Sequence, residues 1–267
     1  MIAARSVDLS LGGQDILRGV TMALPPGKVV ALCGPNGAGK STLLACLAGE
    51  HPTCADQVFY NDRPITGLQP QTLARQRVVL EQTPSLSAEF LVQEMIELSA
   101  PLELPPSDLS RLTKDALNTL GIADLANRFV STLSGGQQHR AHLARVLVQL
   151  HANRLLGHES ALFLDEPTAS LDIRHQITVL THMAELARDG VGVLVVLHDL
   201  NLAAAFADCV VLMQDGQILH NGPPREVLTA AHLSQVYNTP IQVSQVPSGQ
   251  MMIHPDLSTQ TAPARCA

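Results

Sequence analysis

The sequence predicts an α/β fold: a mostly parallel sheet covered by helices, an antiparallel β layer beside it, and a helical subdomain inserted in the core. Three observations carry this. Four short runs, Val29–Cys33, Val78–Leu80, Ala161–Leu164 and Val193–Leu197, are apolar throughout, as strands buried on both faces are. Helical patterns lie between most of them, the connection that parallel strands require. Elsewhere apolar residues alternate with period two, in Ser6–Leu11 and Val20–Leu24 around a Gly12-Gly13 turn.

A similar small pairing is expected at Gln57–Tyr60, turning at Asn61-Asp62. Cys209–Met213 and Gln217–His220 flank an Asp215-Gly216 turn and read as a hairpin. These pieces are assigned together to the antiparallel layer. After Gln82 the chain is broken by Pro101, Pro105 and Pro106. Leu109, Leu112, Ala116, Leu117 and Leu120 then line one helical face, stopped by Gly121. The helical subdomain is therefore expected over about 83–135, inside a single domain of 1–254. Residues 255–267 are expected to form a polar, frayed tail.

Composition narrows the function classes. Lys+Arg number 17 against 24 Asp+Glu, a net charge of −7, and 46% of the 267 residues are hydrophobic. This argues against disorder. It argues equally against a nucleic-acid partner, whose phosphates need clustered cations. No apolar run reaches the roughly 18 residues that span a bilayer, and no secretory signal pattern is expected at the N-terminus. The five cysteines, Cys33, Cys46, Cys54, Cys209 and Cys266, include no C-x-x-C pair. They are expected to be reduced and mostly buried.

Each continuous apolar run is followed within two residues by a polar group: Gly34, Gln82, Asp165-Glu166 and His198. Ligands of open parallel sheets bind at the carboxyl ends of the strands, so four such ends mark a site. Gly34-Pro35-Asn36-Gly37-Ala38-Gly39-Lys40-Ser41 fits G-x-x-x-x-G-K-[ST], the P-loop of nucleotide hydrolases, and leads into a helix from Thr42. Its amides would wrap phosphates, with Lys40 reaching the β- and γ-phosphates and Ser41 ligating Mg²⁺. Asp165 is expected to hold Mg²⁺ through water, and Glu166 to position or deprotonate the attacking water. His198 would contact the γ-phosphate, while Gln82 would sense metal and water. Leu133-Ser134-Gly135-Gly136-Gln137 opens another helix with Ser134 as N-cap. It makes a second anion-binding helix start, without a lysine.

With that segment in place the chain resembles the ATP-binding cassette (ABC) transporter ATPases. Their motifs stand in order as Gly34–Ser41, Gln82, Leu133–Gln137, Leu162–Glu166, Ser170–Asp172 and His198, and the resemblance covers about 1–235. It implies ATP and Mg²⁺ as cofactors, with Thr42 joining the nucleotide-binding residues. It also implies a homodimer closed head to tail, in which Ser134–Gln137 of one subunit cap the ATP on the other's Gly34–Ser41 loop. Asp172 would lie at that seam. Two transmembrane permease subunits, a periplasmic substrate-binding protein and a place on the cytoplasmic face of the inner membrane follow from the same likeness.

Gly34–Leu44, Ala48–Glu50, Val79–Phe90 and Leu197–Ala204 resemble importers of iron chelates, cobalamin and haem. Leu143–Leu150 followed by an extra segment, His151–Ser160, is most similar to bacterial haemin-import ATPases, with cobalamin or iron-siderophore importers as alternatives. A soluble cassette ATPase outside transport would carry tandem cassettes, a coiled-coil insertion or basic extensions. A small-molecule P-loop kinase would have no use for Leu133–Gln137. Two positions depart from the family pattern. Glu81 precedes Gln82 where proline is common, and Leu11 stands where many cassettes stack an aromatic on adenine. His139, His142, His151 and His158 are expected to be solvated or interface residues rather than haem ligands.

Overall fold

The computed structural model describes residues 1–82 and 89–259. Its strands are β1 (Ile2–Leu11), β2 (Gln14–Leu24), β3 (Val29–Cys33), β4 (Val58–Tyr60), β5 (Arg63–Pro64), β6 (Arg77–Leu80), β7 (Ala161–Asp165), β8 (Val193–Val196), β9 (Cys209–Gln214), β10 (Gln217–Gly222), β11 (Ile241–Gln245) and β12 (Met251–Pro255). The helices are α1 (Lys40–Ala48), α2 (Pro70–Gln76), α3 (Val92–Glu97), α4 (Pro106–Thr119), α5 (Gly135–Leu155), α6 (Ile173–Arg188), α7 (Leu200–Phe206), α8 (Pro224–Val227) and α9 (Ala230–Tyr237).

The central sheet runs β10-β9-β3-β8-β7-β6, parallel from β9 to β6. Along β3, Val29, Ala31 and Cys33 enter one apolar cluster while Val30 and Leu32 enter another. Strand β8 divides in the same way, Val193 and Val195 against Leu194 and Val196. Both faces of each strand are therefore buried, which is why these runs lack alternation. One face packs on α5 and α6. The other packs on Leu43 and Leu47 of α1 and on the antiparallel sheet β2-β1-β4-β5.

The hairpin at Asp215-Gly216 forms as expected, with positive φ at both turn residues (49° and 76°). Its place differs from the expectation. Strand β9 belongs to the central sheet, parallel to β3, and β10 is the antiparallel edge. The reason lies in the run Val210–Met213, buried on both sides like its neighbours.

Helices α3 and α4 have no core apart from the rest. Val92, Met95, Leu112, Ala116 and Leu117 join Leu143, Ala144 and Leu147 of α5 in the same cluster as Val78 and Leu80. Proline begins α4, where a missing N–H costs nothing, and Gly121 ends it at φ 62°. Residues 83–88 of the expected helical subdomain, and of the Val79–Phe90 stretch, lie outside the described residues.

Helix α5 continues five residues past Leu150, so the first half of the His151–Ser160 segment is helical. The β11–β12 hairpin was not expected, although Ile241/Val243 and Met251/Ile253 alternate as strands do. It is fastened to α7 through Asn201, which donates to the Ile253 carbonyl (3.2 Å) and accepts from its N–H (2.8 Å). Residues 260–267, with Cys266, lie outside the described part of the tail. Cys33, Cys46 and Cys54 are buried, Cys209 is half-buried, and all four are free thiols. Among the described residues no helix is long and apolar enough to cross a membrane.

His142 of α5 departs from the expectation of a solvated or interface residue, since it is buried within its own chain. His139 bonds the Pro167 carbonyl at 2.9 Å. His142 is buried, and its Nδ1 has no hydrogen-bond partner among the described residues. Burial first, then Arg145 and His139, push its pKa from 6.5 down to about 4. The unfolded chain takes up this proton near 6.5, whereas the folded chain refuses it until about 4. Stability must therefore fall as pH drops between those values, by roughly 3 kcal/mol at about 1.4 kcal/mol per pKa unit. Urea midpoints at neutral and mildly acidic pH should decline less in His142→Leu than in wild type. An equal decline in both proteins would clear His142 as the source.

Candidate nucleotide-binding site

The loop Gly34–Gly39 leaves β3 and enters α1, and it is braced from behind. The Gly216 amide donates to the Ala38 carbonyl (3.2 Å), while Gly216 accepts from the Arg18 amide (3.0 Å). A Cβ on Gly216 would lie 2.3 Å from the Ile16 carbonyl oxygen, so only glycine lets β2, the β9–β10 turn and the loop meet. Tyr237 of α9 adds a further brace. Burial raises its phenol pKa, Cys33 adds to that, and a hydrogen bond with the Gly34 backbone opposes it. Sequence reasoning missed Gly216 and Tyr237 as parts of this site, and only the Asp-Gly turn carried a local signal.

Lys40 is buried within the loop, its ammonium donating to the carbonyls of Gly34 and Pro35, each at 2.9 Å. Burial lowers its pKa, with Cys33, Glu166 and Asp165 opposing. A phosphate would supply the counter-charge that the carbonyls only partly provide. The N-cap of α1 is Gly39, which has no side-chain acceptor. The first amides of the helix, from Lys40 to Thr42, therefore lack intrahelical partners and remain available to an anion. The other end of α1 is held by the Tyr60 hydroxyl on the Leu47 carbonyl (2.7 Å) and by Arg77 on that of Ala48 (2.5 Å).

Across the carboxyl edge, the Ser41 hydroxyl donates to Asp165 Oδ1 at 3.1 Å. Burial raises the Asp165 pKa, and Glu166 adds to this, whereas Ser41, Lys40 and His198 pull it down. A hydroxyl and a buried carboxylate so placed form a hard-oxygen donor pair that fits Mg²⁺. Glu166 follows with φ 51°, a left-handed conformation that costs a non-glycine residue about 1–2 kcal/mol. The turn brings its carboxylate 2.5 Å from His198 Nε2. Gln82 is exposed two residues beyond β6, whose Leu80 pairs with Leu164 of β7. It thus stands at the same edge as Asp165.

Ser134 caps α5 reciprocally with Gln137. The serine hydroxyl accepts from the Gln137 amide (3.4 Å), and Gln137 Oε1 accepts from the Ser134 amide (3.0 Å). Among the described residues neither side chain bonds to the Gly34–Ser41 loop. Asp172 caps α6 and is exposed; the His175 amide and ring hold its pKa below the ordinary carboxylate range. A cleft of about 790 Å³ opens at the opposite pole between Tyr60, Arg75, Arg154, His158 and Gly190. It contains none of the phosphate-loop, carboxylate or Ser134–Gln137 residues.

A braced phosphate loop, a serine–aspartate pair and a glutamate–histidine pair at one sheet edge define a P-loop nucleotide hydrolase. The family model described as ABC transporter matches residues 17–169, and the chain belongs to that family, in which ATP hydrolysis is coupled to transport. It is 43% identical over 257 residues to the Hemin import ATP-binding protein HmuV of Bordetella pertussis, covering 94% of this chain and 98% of that one. It is 39% identical over 249 residues to the protein of the same name from Rhizobium meliloti, covering 93% and 95%. Among solved structures, an ATP-binding subunit of an ABC transporter superposes with a TM-score of 0.76 at 24% identity, covering 89% of this chain and 98% of that one.

Leu11 is 44% exposed at the tip of the β1–β2 hairpin, and the adjoining Ile16–Leu17 backs Gly39. A leucine offers adenine no π-face, and base–aromatic stacking is worth about 1–3 kcal/mol in nucleic-acid binders. Leu11→Tyr should tighten ATP binding by up to about tenfold, and wild type should separate ATP from GTP poorly. Side-by-side titrations of both nucleotides measure this. Strong ATP preference in wild type, unaltered by tyrosine, would mean that another residue holds the base.

Proposed function

We propose that this chain is the ATP-hydrolysing subunit of an importer that carries haemin across the bacterial inner membrane. The observation that carries the chemistry is the convergence of Lys40, Ser41–Asp165 and Glu166–His198 at one edge. The haemin assignment rests on the names of relatives aligned along nearly the whole chain. One nucleotide-binding domain spans 1–254, with the helical subdomain of about 83–135 inserted in it.

Gly34–Gly39 and Lys40–Thr42 hold the triphosphate, Lys40 trading its two carbonyl partners for phosphate oxygens. Ser41 and Asp165, with Gln82 alongside, hold Mg²⁺, which when bound neutralises phosphate charge. Glu166 orients the attacking water and accepts its proton. His198 steadies the carboxylate of Glu166 and reaches toward the γ-phosphate. Ser134–Gln137 and Asp172 serve the opposite subunit of a head-to-tail homodimer, which explains why they bond nothing in the loop of their own chain. The dimer works on the cytoplasmic face beneath two permease subunits, supplied by a periplasmic binding protein.

Glu166→Gln should bind ATP normally and lose about 10²–10⁴-fold in turnover, since positioned acid–base groups contribute that much. It should also accumulate as an ATP-bound dimer, and near-normal hydrolysis would remove Glu166 from this role. In a strain lacking the chain, wild type should restore haemin uptake and Glu166→Gln should not. Restoration of cobalamin or siderophore uptake instead would reassign the cargo.

Head-to-tail closure has its own test. Mixed dimers carrying Ser134→Arg in one chain and Lys40→Ala in the other keep one intact composite site. Dimers with both changes in one chain keep none. The first arrangement should hydrolyse ATP measurably faster, and equal rates would contradict the closure.

A further inference from the structure

We propose that His175 is a positioning residue, the middle link of a hydrogen-bonded chain Arg140–His175–Asp172 that ties the dimer-seam aspartate to the helix behind Ser134–Gln137. The function of this chain rests on the seam reading of Asp172 given above; its geometry does not.

Helix α5 turns one face toward the loop that leaves β7, since residues three and four apart lie together. A Cβ on Gly136 would sit 2.9 Å from the Ser170 carbonyl oxygen. His139 Nε2 donates to the Pro167 carbonyl at 2.9 Å. Arg140 Nη1 meets His175 Nε2 at 2.6 Å and also reaches the carbonyls of Leu120 (3.3 Å) and Gly121 (3.4 Å) at the end of α4.

A guanidinium has donors only, so Nε2 of His175 must accept. Its proton then lies on Nδ1, which donates to Asp172 Oδ1 at 2.7 Å. The same oxygen accepts the His175 amide at 2.9 Å. That amide alone satisfies the cap of α6, so the ring contact is additional and fixes the direction of the carboxylate. On the far side of the loop, Gln176 Nε2 donates to the carbonyls of Thr168 (3.3 Å) and Leu171 (3.1 Å). A shift of α4 or α5 would thereby reach the Asp172 carboxylate directly through the His175 ring, beside the backbone contacts at Pro167 and Ser170.

The test uses the full-length protein. Imidazole ¹⁵N spectra, assigned by the signal lost in His175→Gln, should show the His175 proton on Nδ1. A proton on Nε2 in wild type overturns the proposal. His175→Gln keeps an acceptor near Nε2 and gives up Asp172, while His175→Asn keeps a donor near Nδ1 and gives up Arg140. The protein concentration for half-maximal ATPase activity should rise roughly tenfold in His175→Gln, about the worth of one hydrogen bond to a charged group. It should rise less in His175→Asn. ATP affinity of the monomer should stay as in wild type, whereas general loosening of the fold would lower both. Unchanged concentration dependence in His175→Gln overturns the positioning role. If Asp172→Ala is also silent while the proton sits on Nδ1, the seam reading fails and the hydrogen-bonded chain stands.

Discussion

Burial of the central strands on both faces is the constraint from which the rest follows. A strand with apolar neighbours above and below has no side on which a polar residue can stay hydrated. Asp165, Glu166 and His198 are therefore confined to the strand ends and Lys40 to the helix start beyond β3, and parallel pairing brings those ends to one edge. The site is a by-product of how the sheet is covered. Its opposite pole, where a cleft of about 790 Å³ lies, has the same geometric opportunity but lacks this convergence of motif residues.

Electrostatics at that edge are balanced by opposition. Burial weakens the charge of Lys40 and of Asp165 alike, and each pulls the other back toward its ionised form. Glu166 adds negative charge beside Asp165, and His198 faces it. Such an arrangement is poised for a ligand that brings anion and cation together, which a metal–triphosphate pair does. A bare anion or a bare metal would relieve only half of the mismatch.

Much of this is legible in the sequence. The continuous apolar runs disclosed the parallel strands, and the residues just past them disclosed the edge. Two signals misled. The Asp-Gly turn identified a hairpin correctly but said nothing of which sheet would take β9, because turn chemistry is local and sheet membership is a matter of burial on both faces. The histidines of α5 looked hydrophilic, whereas the space between α5 and its neighbours admits His142 as a neutral ring. Contacts between distant segments, such as Gly216 on Ala38 or Arg140 on His175, carry no sequence pattern, since neither partner announces the other.

The brace behind the phosphate loop has a consequence for speed. A glycine-rich segment free in solution would surrender much backbone entropy on closing around a ligand. Here Gly216 and Arg18 hold it shaped as soon as the hairpins have paired, so the ordering is completed during folding. Nucleotide then meets a rigid receptor and need not wait for a conformational search. The loop's backbone entropy is therefore settled before any ligand arrives, and binding does not pay for it again.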